Sequence, residues 1–119
     1  MHNNTIVLQS LPSTNDYLRD ELAKSKPFPE GTVIMAVDQF AGKGQKGSGW
    51  LSAPGQNLTF SMLLKPVFIL PKDQFCLTMA VSLALTDFFE VLLPAERKVQ
   101  IKWPNDIYVD GRKITGILI

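Results

Sequence analysis

Residues 42–50 read Gly-Lys-Gly-Gln-Lys-Gly-Ser-Gly-Trp, with no aliphatic side chain among them. Four of the chain's eight glycines fall in this stretch, alternating with cations and polar groups. A segment of this kind has nothing to bury, so any fold must carry it as a surface loop. Its chemistry suits a small anion: glycine lets backbone N–H groups approach closely, and Lys43 and Lys46 supply charge. The common glycine motifs do not account for it. Gly42-x-Gly44-x-x-Gly47 has the spacing of a dinucleotide fingerprint, but residues 52–57 are turn-forming where a helix would be required. No Gly-Lys-Ser/Thr ends a phosphate loop, because Gly47-Ser48-Gly49 stands there instead. A plain flexible hairpin loop remains the alternative.

The chain of 119 residues makes one domain at most, enough to bury one core without disulfides or metal. Its formal charge of +1 offers no global field for nucleic acid or an anionic membrane, so an anion site must be local. Cys76 is the only cysteine, which points to a reducing, cytoplasmic compartment; between Phe75 and Leu77 it reads as a small core residue. The single histidine, His2, lies at the N-terminus, excluding histidine triads, Cys–His dyads and multi-histidine metal sites within this chain. The polar start of the chain has no signal-peptide core. Residues 75–93 are apolar enough to resemble a membrane span but carry Asp87 and Glu90. Thr78, Ser82 and Thr86 join these near one helical stripe, which predicts a mostly buried helix of a soluble protein.

Residues 5–8 predict a short strand broken by Ser10-Leu11-Pro12-Ser13. A helix over 14–23 follows, capped by Ser13 or Asn15, with Tyr17, Leu18 and Leu22 on one face. The continuous β-branched run 32–37 predicts a strand covered on both faces. Residues 38–57 form the long glycine loop, and 58–64 the next strand. Pro71 suits a first helical turn, and Pro94 ends the long helix. Residues 99–103 alternate as a strand until Pro104, and Asp110-Gly111 between β-prone runs marks a hairpin. The pattern is mixed α/β, with helices against one side of a sheet.

A two-residue turn at Asp110-Gly111 pairs Val109 with Arg112 and Tyr108 with Lys113, and sets Asp106 opposite Thr115. Asp106, Tyr108, Lys113 and Thr115 then share one face. Asp106 and Lys113 become diagonal neighbours, spaced to grip one ligand rather than to pair directly. A Mg²⁺–nucleotide fits, with the Asp106 carboxylate toward the metal and Lys113 toward phosphate charge. A solvated hairpin with a surface ion pair is the other reading. The interruption of the strand by Trp103-Pro104-Asn105-Asp106 favours a bend that positions something.

Ser13-Thr14-Asn15, Gln39 with the Gly42–Trp50 loop, Lys102-Trp-Pro-Asn-Asp106 and Arg112-Lys113-Ile-Thr-Gly116 together resemble biotin protein ligase. The resemblance covers nearly all of the chain from Thr5 onward. It implies an α/β (α+β) fold, a mixed sheet with helices packed against it, of the biotin/lipoate ligase, class II synthetase-like kind. The 119 residues would be an incomplete catalytic domain, without an N-terminal DNA-binding domain or a C-terminal β-barrel. It implies formation of biotinyl-5′-AMP from biotin and ATP with Mg²⁺, then transfer of biotin to a lysine of a biotin carboxyl carrier protein. Ser13, Thr14, Asn15, Gln39, Gly42, Lys43, Gly44, Gln45, Lys113 and Gly116 would contact biotin. Lys43, Lys46, Trp50, Asn105, Asp106 and Lys113 would contact ATP, Asp106 would meet the metal, and Lys113, Lys43 and Asp106 would be catalytic. Many members carry arginines in the loop where this chain has Lys43, Gln45 and Ser48, which alters its hold on the adenylate. Lipoate ligases and octanoyl transferases, or a non-catalytic remnant that binds nucleotide or a protein, are the competing readings. The apolar run 114–119 predicts a strand deep in the sheet with an unpaired edge, and with it self-association.

Overall fold

The structure, a computed structural model, describes residues 4–119. His2 therefore lies outside the described residues. The chain divides into two compact units, one ending at Pro66 and the other spanning Val67–Ile119.

The first unit is built on a mixed three-stranded sheet. Strand β1 (Thr5–Leu11) runs parallel to β2 (Val33–Gln39), and β2 pairs antiparallel with β5 (Thr59–Met62). β1 continues past the break expected at Ser10, because Ser10 and Leu11 still pair with Asp38 and Gln39. Pairing across the sheet outweighs the local turn signal. Helix α1 (Thr14–Ala23) packs on β2 and β5 and starts where expected. Ser13 is its N-cap: the residue is extended and its hydroxyl oxygen accepts from Asp16 N–H at 3.2 Å. Leu18 is buried, while Tyr17 and Leu22 are half-buried. At the far end of α1, buried Glu21 is paired with both Lys24 and Lys26. β2 is not covered on both faces. Ile34 and Ala36 are buried, whereas Met35 is half-buried and Val37 exposed, so one face of the sheet carries the core.

The glycine segment is more ordered than a plain loop. Two-residue strands β3 (Gly42–Lys43) and β4 (Gly49–Trp50) pair antiparallel, and a single 3-10 turn at Gln45–Gly47 joins them. Within that turn Lys46 takes the left-handed conformation at φ 53° and Gly47 follows at φ 77°. Gly44 N–H donates to Ser48 O at 2.7 Å, and the Ser48 hydroxyl donates to Gln45 O at 2.7 Å.

The second unit sets helix α2 (Phe75–Leu92) on an antiparallel sheet of β6 (Val99–Lys102), β7 (Asp106–Val109) and β8 (Arg112–Gly116). Pro71 opens a 3-10 turn ahead of α2, and the helix stops at Leu92, just before Pro94. α2 is long and apolar enough to cross a membrane by length and composition. It is not the mostly buried helix expected. Thr78 and Ser82 are its buried residues, with Leu77, Val81, Leu85 and Phe89 half-buried beside them. The sheet covers only a narrow strip of the helix along β6 and β7, so Phe75, Met79, Leu83 and Phe88 stay exposed. Cys76 is on an exposed part of the helix and is not a core residue, for the same reason.

The β7–β8 turn has φ of 50° at Asp110 and 78° at Gly111, the mirror-image turn that matches strand twist. Val109 pairs with Arg112 and Tyr108 with Lys113, as read from the sequence. A bulge at Ile107/Tyr108 then shifts the register, so Thr115 lies opposite Ile107 and Gly116 opposite Asp106. The expected pairing of Asp106 with Thr115 is thereby lost: one extra residue on β8 moves every later partner by one. β8 ends at Gly116 on the edge of its sheet, with Ile114 half-exposed, so the predicted deep strand over 114–119 does not form.

Candidate functional site

In the first unit the parallel pairing of Leu11 with Gln39 brings the end of β2 to the start of α1. Backbone bonds from Phe40 N–H to Leu11 O and from Ala41 N–H to Pro12 O hold the two connections together. A buried polar cluster results. Thr14 N–H donates to Gln39 Oε1 at 2.9 Å, and the Thr14 hydroxyl lies 3.3 Å from that oxygen and 2.8 Å from Ser61 Oγ. The Ser61 hydroxyl donates to Asn15 Oδ1 at 2.8 Å. Thr14, Gln39 and Ser61 are all buried, and their side-chain oxygens are hydrogen-bonded within the cluster. The cluster thus brings together Thr14, Asn15 and Gln39, three of the residues singled out in the sequence. Ser13 works differently: its hydroxyl is occupied as the cap.

Gly42 lies directly over this cluster. A Cβ at Gly42 would meet Gln39 Nε2 at 2.5 Å and Trp50 O at 2.7 Å, so only glycine lets the hairpin pass this close. The Gln39 amide nitrogen, with its two N–H donors, therefore lies under the hairpin. Trp50 is half-buried at the hairpin base, opposite Gly42. Lys43 is paired with an acid of α1: its Nζ is 2.7 Å from Asp16 Oδ2. The Asp16 carboxyl is held below the usual range first by its hydrogen bond to Lys43, with Arg19 contributing. Lys46 and Gly44 belong to the turn itself, and Lys46 is exposed.

In the second unit Lys113 Nζ is 2.9 Å from Asp106 Oδ1. The two form a direct ion pair rather than the open diagonal gap expected. The bulge increases the local strand twist, and the four-carbon lysine arm spans what remains. Asn105 donates from Nδ2 to Ile117 O at 2.9 Å, and Ile117 N–H donates back to Asn105 O, so this side chain holds the end of β8 to the Trp-Pro-Asn-Asp bend. The Trp103–Pro104 peptide is cis. The Ser82 hydroxyl donates to Pro104 O at 3.4 Å, Phe75 and Trp103 rings approach to 5.0 Å, and Lys102 Nζ lies 5.7 Å from the Tyr108 ring centroid. Met79, Ser82, Leu83, Ile101, Trp103 and Pro104 line an apolar depression of about 160 Å³.

Sequence reasoning missed Asp16, Ser61 and Ser82. The Ser13-x-x-Asp16 spacing marks a helix start and could have drawn attention to the acid. Nothing local distinguishes Ser61 within β5, and Ser82 carried only its place on the polar stripe.

The chain belongs to the biotin/lipoate A/B protein ligase family, which it matches over residues 7–119. Among its relatives is the bifunctional ligase/repressor BirA of Escherichia coli, 34% identical over 113 residues, covering 95% of this chain and 33% of that protein. The biotin–[acetyl-CoA-carboxylase] ligase of Mycobacterium tuberculosis is also 34% identical, over 94% of this chain and 42% of its own length. The fold is shared with solved ligases. The biotin protein ligase from Aquifex aeolicus in complex with biotin and ATP gives a TM-score of 0.72 at 32% identity, covering 99% of this chain and 46% of that one. The Leishmania major enzyme in complex with biotinyl-5-AMP gives 0.75 at 29% identity, covering 97% and 51%. The resemblance drawn from the motifs is borne out in family and in α+β fold. The chain spans about a third of the length of the BirA proteins it matches and about half of the solved chains.

Proposed function

We propose that this protein is part of an ATP-dependent biotin protein ligase that forms biotinyl-5′-AMP and transfers biotin to a lysine of a biotin carboxyl carrier protein. The observation that carries this reading is the Thr14–Gln39–Ser61–Asn15 cluster beneath the glycine hairpin. It offers amide and hydroxyl groups in fixed orientation on a buried floor, which suits a small, uncharged polar ring such as a cyclic urea. The family and the biotin- and ATP-bound neighbours support the same assignment.

In the first half-reaction the biotin carboxylate oxygen attacks the α-phosphorus of ATP, and the bond to pyrophosphate breaks. In the second, the carrier lysine amine attacks the acyl carbon, and AMP leaves with the bonding pair. Lys43 and Lys113 serve as fixed cations for the carboxylate and phosphate, an electrostatic role in which neither forms a covalent bond. Lys46 adds exposed charge at the hairpin tip, and Trp50 fixes its base. Gly116, which pairs with Asp106, allows close approach at the β7–β8 edge.

The family resemblance points Asp106 and Asn105 toward the nucleotide and its Mg²⁺. Asp106 is a single carboxylate already engaged by Lys113, and no cluster of three or more acidic, histidine or cysteine ligands occurs among the described residues. These residues do not make a resident metal site. Mg²⁺ is best treated as part of the nucleotide substrate. A cytoplasmic setting accords with the one cysteine and with ATP as cosubstrate. Self-association through the β8 edge is part of the same proposal.

The test is titration calorimetry of the full chain with biotin and with lipoate, followed by intact-mass analysis of a biotin carrier domain incubated with the chain, biotin and ATP. Biotin binding in preference to lipoate, and one biotinyl addition per carrier, are expected. A folded chain that binds neither acid would overturn the assignment.

A further inference from the structure

The proposed reaction leaves Asp16 without a role, yet Asp16 links the first turn of α1 to a side chain of the hairpin. Its Oδ2 is 2.7 Å from Lys43 Nζ and its Oδ1 is 2.7 Å from Arg19 Nη2. Its own backbone is fixed by the cap, because its N–H donates to Ser13 Oγ. The carboxylate stands in the first turn of the helix, where the positive end of the dipole favours it. Only 24% of the Asp16 side chain is exposed, against 58% for Lys43. The acid is thus the fixed partner, and the lysine arm is the part being held.

Lys43 lies on β3 and pairs with Gly49 on β4, so fixing it constrains both strands of the hairpin. Lys43 directly follows Gly42, whose backbone lies against Gln39 of the polar cluster. Asp16 does not cancel the local charge. One carboxylate is shared between two cations, leaving the group net positive and still attractive to an anion.

We infer that Asp16 is a positioning residue: it fixes Lys43, and through it the glycine hairpin, against the start of α1. An incoming carboxylate or phosphate then meets an ammonium already in place instead of one on a rotating four-carbon arm. The nature of that anion rests on the proposed function, whereas the holding of the hairpin does not. Preordering one long side chain corresponds to about a three- to tenfold effect on affinity.

The experiment uses the full chain as wild type, Asp16→Asn, Asp16→Glu, Lys43→Gln and the Asp16→Asn/Lys43→Gln double variant. Amide hydrogen exchange is measured without ligand, and biotin binding by calorimetry. Asp16→Asn should speed exchange across residues 42–50 several-fold while leaving Ile34 and Ala36 unchanged, and Asp16→Glu should recover part of the protection. Lys43→Gln, which leaves α1 intact, should reproduce the faster exchange, and the double variant should add nothing further. Biotin affinity should fall three- to tenfold in Asp16→Asn. Unchanged hairpin exchange in both single variants, or additive effects in the double, would overturn the inference. If exchange responds as expected but wild type binds no biotin, the positioning role stands and the ligase assignment falls.

Discussion

Alanine at Gly42 isolates the close approach on which the candidate site is built. The new Cβ would lie 2.5 Å from Gln39 Nε2 and 2.7 Å from Trp50 O, against ordinary contacts of about 3.5 Å or more. Neither neighbour can yield freely. Trp50 O is backbone paired across the hairpin, and withdrawing the Gln39 amide breaks its 2.9 Å bond from Thr14 N–H. Overpacking of this kind costs about 1–3 kcal/mol, and the displaced hydrogen bond adds about 0.5–1.5 kcal/mol. Two glycines of the same hairpin serve as controls. Gly47 has open space but φ of 77°, so its alanine variant should lose about 1–2 kcal/mol through backbone strain alone. Gly49 has neither neighbours within 4 Å nor a positive φ, so its variant should change stability by less than about 1 kcal/mol, in the stabilising direction. Urea unfolding of the three variants should rank Gly42→Ala below Gly47→Ala below Gly49→Ala. A Gly42→Ala midpoint matching that of Gly49→Ala would refute the account of how the hairpin sits on Gln39.

Three further outcomes are expected. The carboxyls of Asp16, Glu21 and Asp110 are held low by Lys43, by Lys26 and by Arg97 respectively, as the largest causes. Depressed folded-state values give stabilisation that is complete above the ordinary carboxylate range and lost as pH falls below about 4. Denaturation midpoints measured from pH 7 to pH 2.5 should drop in that window, and an Asp16→Asn/Glu21→Gln/Asp110→Asn variant should show a flatter profile; parallel profiles would count against these pairs. Ser61→Ala removes the partner of both Thr14 and Asn15 and should cost about 1–3 kcal/mol by urea unfolding, whereas a change below 0.5 kcal/mol would deny the cluster its structural weight. Lys113→Ala in a ligase of complete length should slow adenylate formation by about 100- to 1,000-fold with little loss of biotin affinity; the reverse pattern in single-turnover assays would make Lys113 a ground-state binding residue.

The elements legible in the sequence were those specified by local chemistry. A capping residue at Ser13 or Asn15 marks the start of α1, with Ser13 the one used, and Asp110-Gly111 names its turn, so α1 and the β7–β8 turn lie where expected. What was not legible depends on distant partners. β1 runs on through Ser10 because β2 is there to receive it. The bulge at Ile107/Tyr108 leaves no mark in an alternating Lys-Ile-Thr sequence, yet it decides whether Asp106 faces Thr115 or Gly116. The covered face of α2 was misjudged in extent because hydropathy states what a helix would bury, not how much sheet is present to bury it. Lys43 and Asp16 lie on different elements, and only the folded chain brings their charges together.

The cluster beneath the hairpin has a direction set by counting protons. Ser61 has one hydroxyl hydrogen and gives it to Asn15 Oδ1. Thr14 must then supply the hydrogen in the 2.8 Å contact between the two hydroxyls, and cannot also give it to Gln39. Gln39 Oε1 is left to the peptide N–H of Thr14, which fixes which end of the amide faces inward. The nitrogen ends of Gln39 and Asn15 are thereby the ends left over. A visitor to this floor finds two amide nitrogens with hydrogens to give, so a ligand carbonyl is welcomed there.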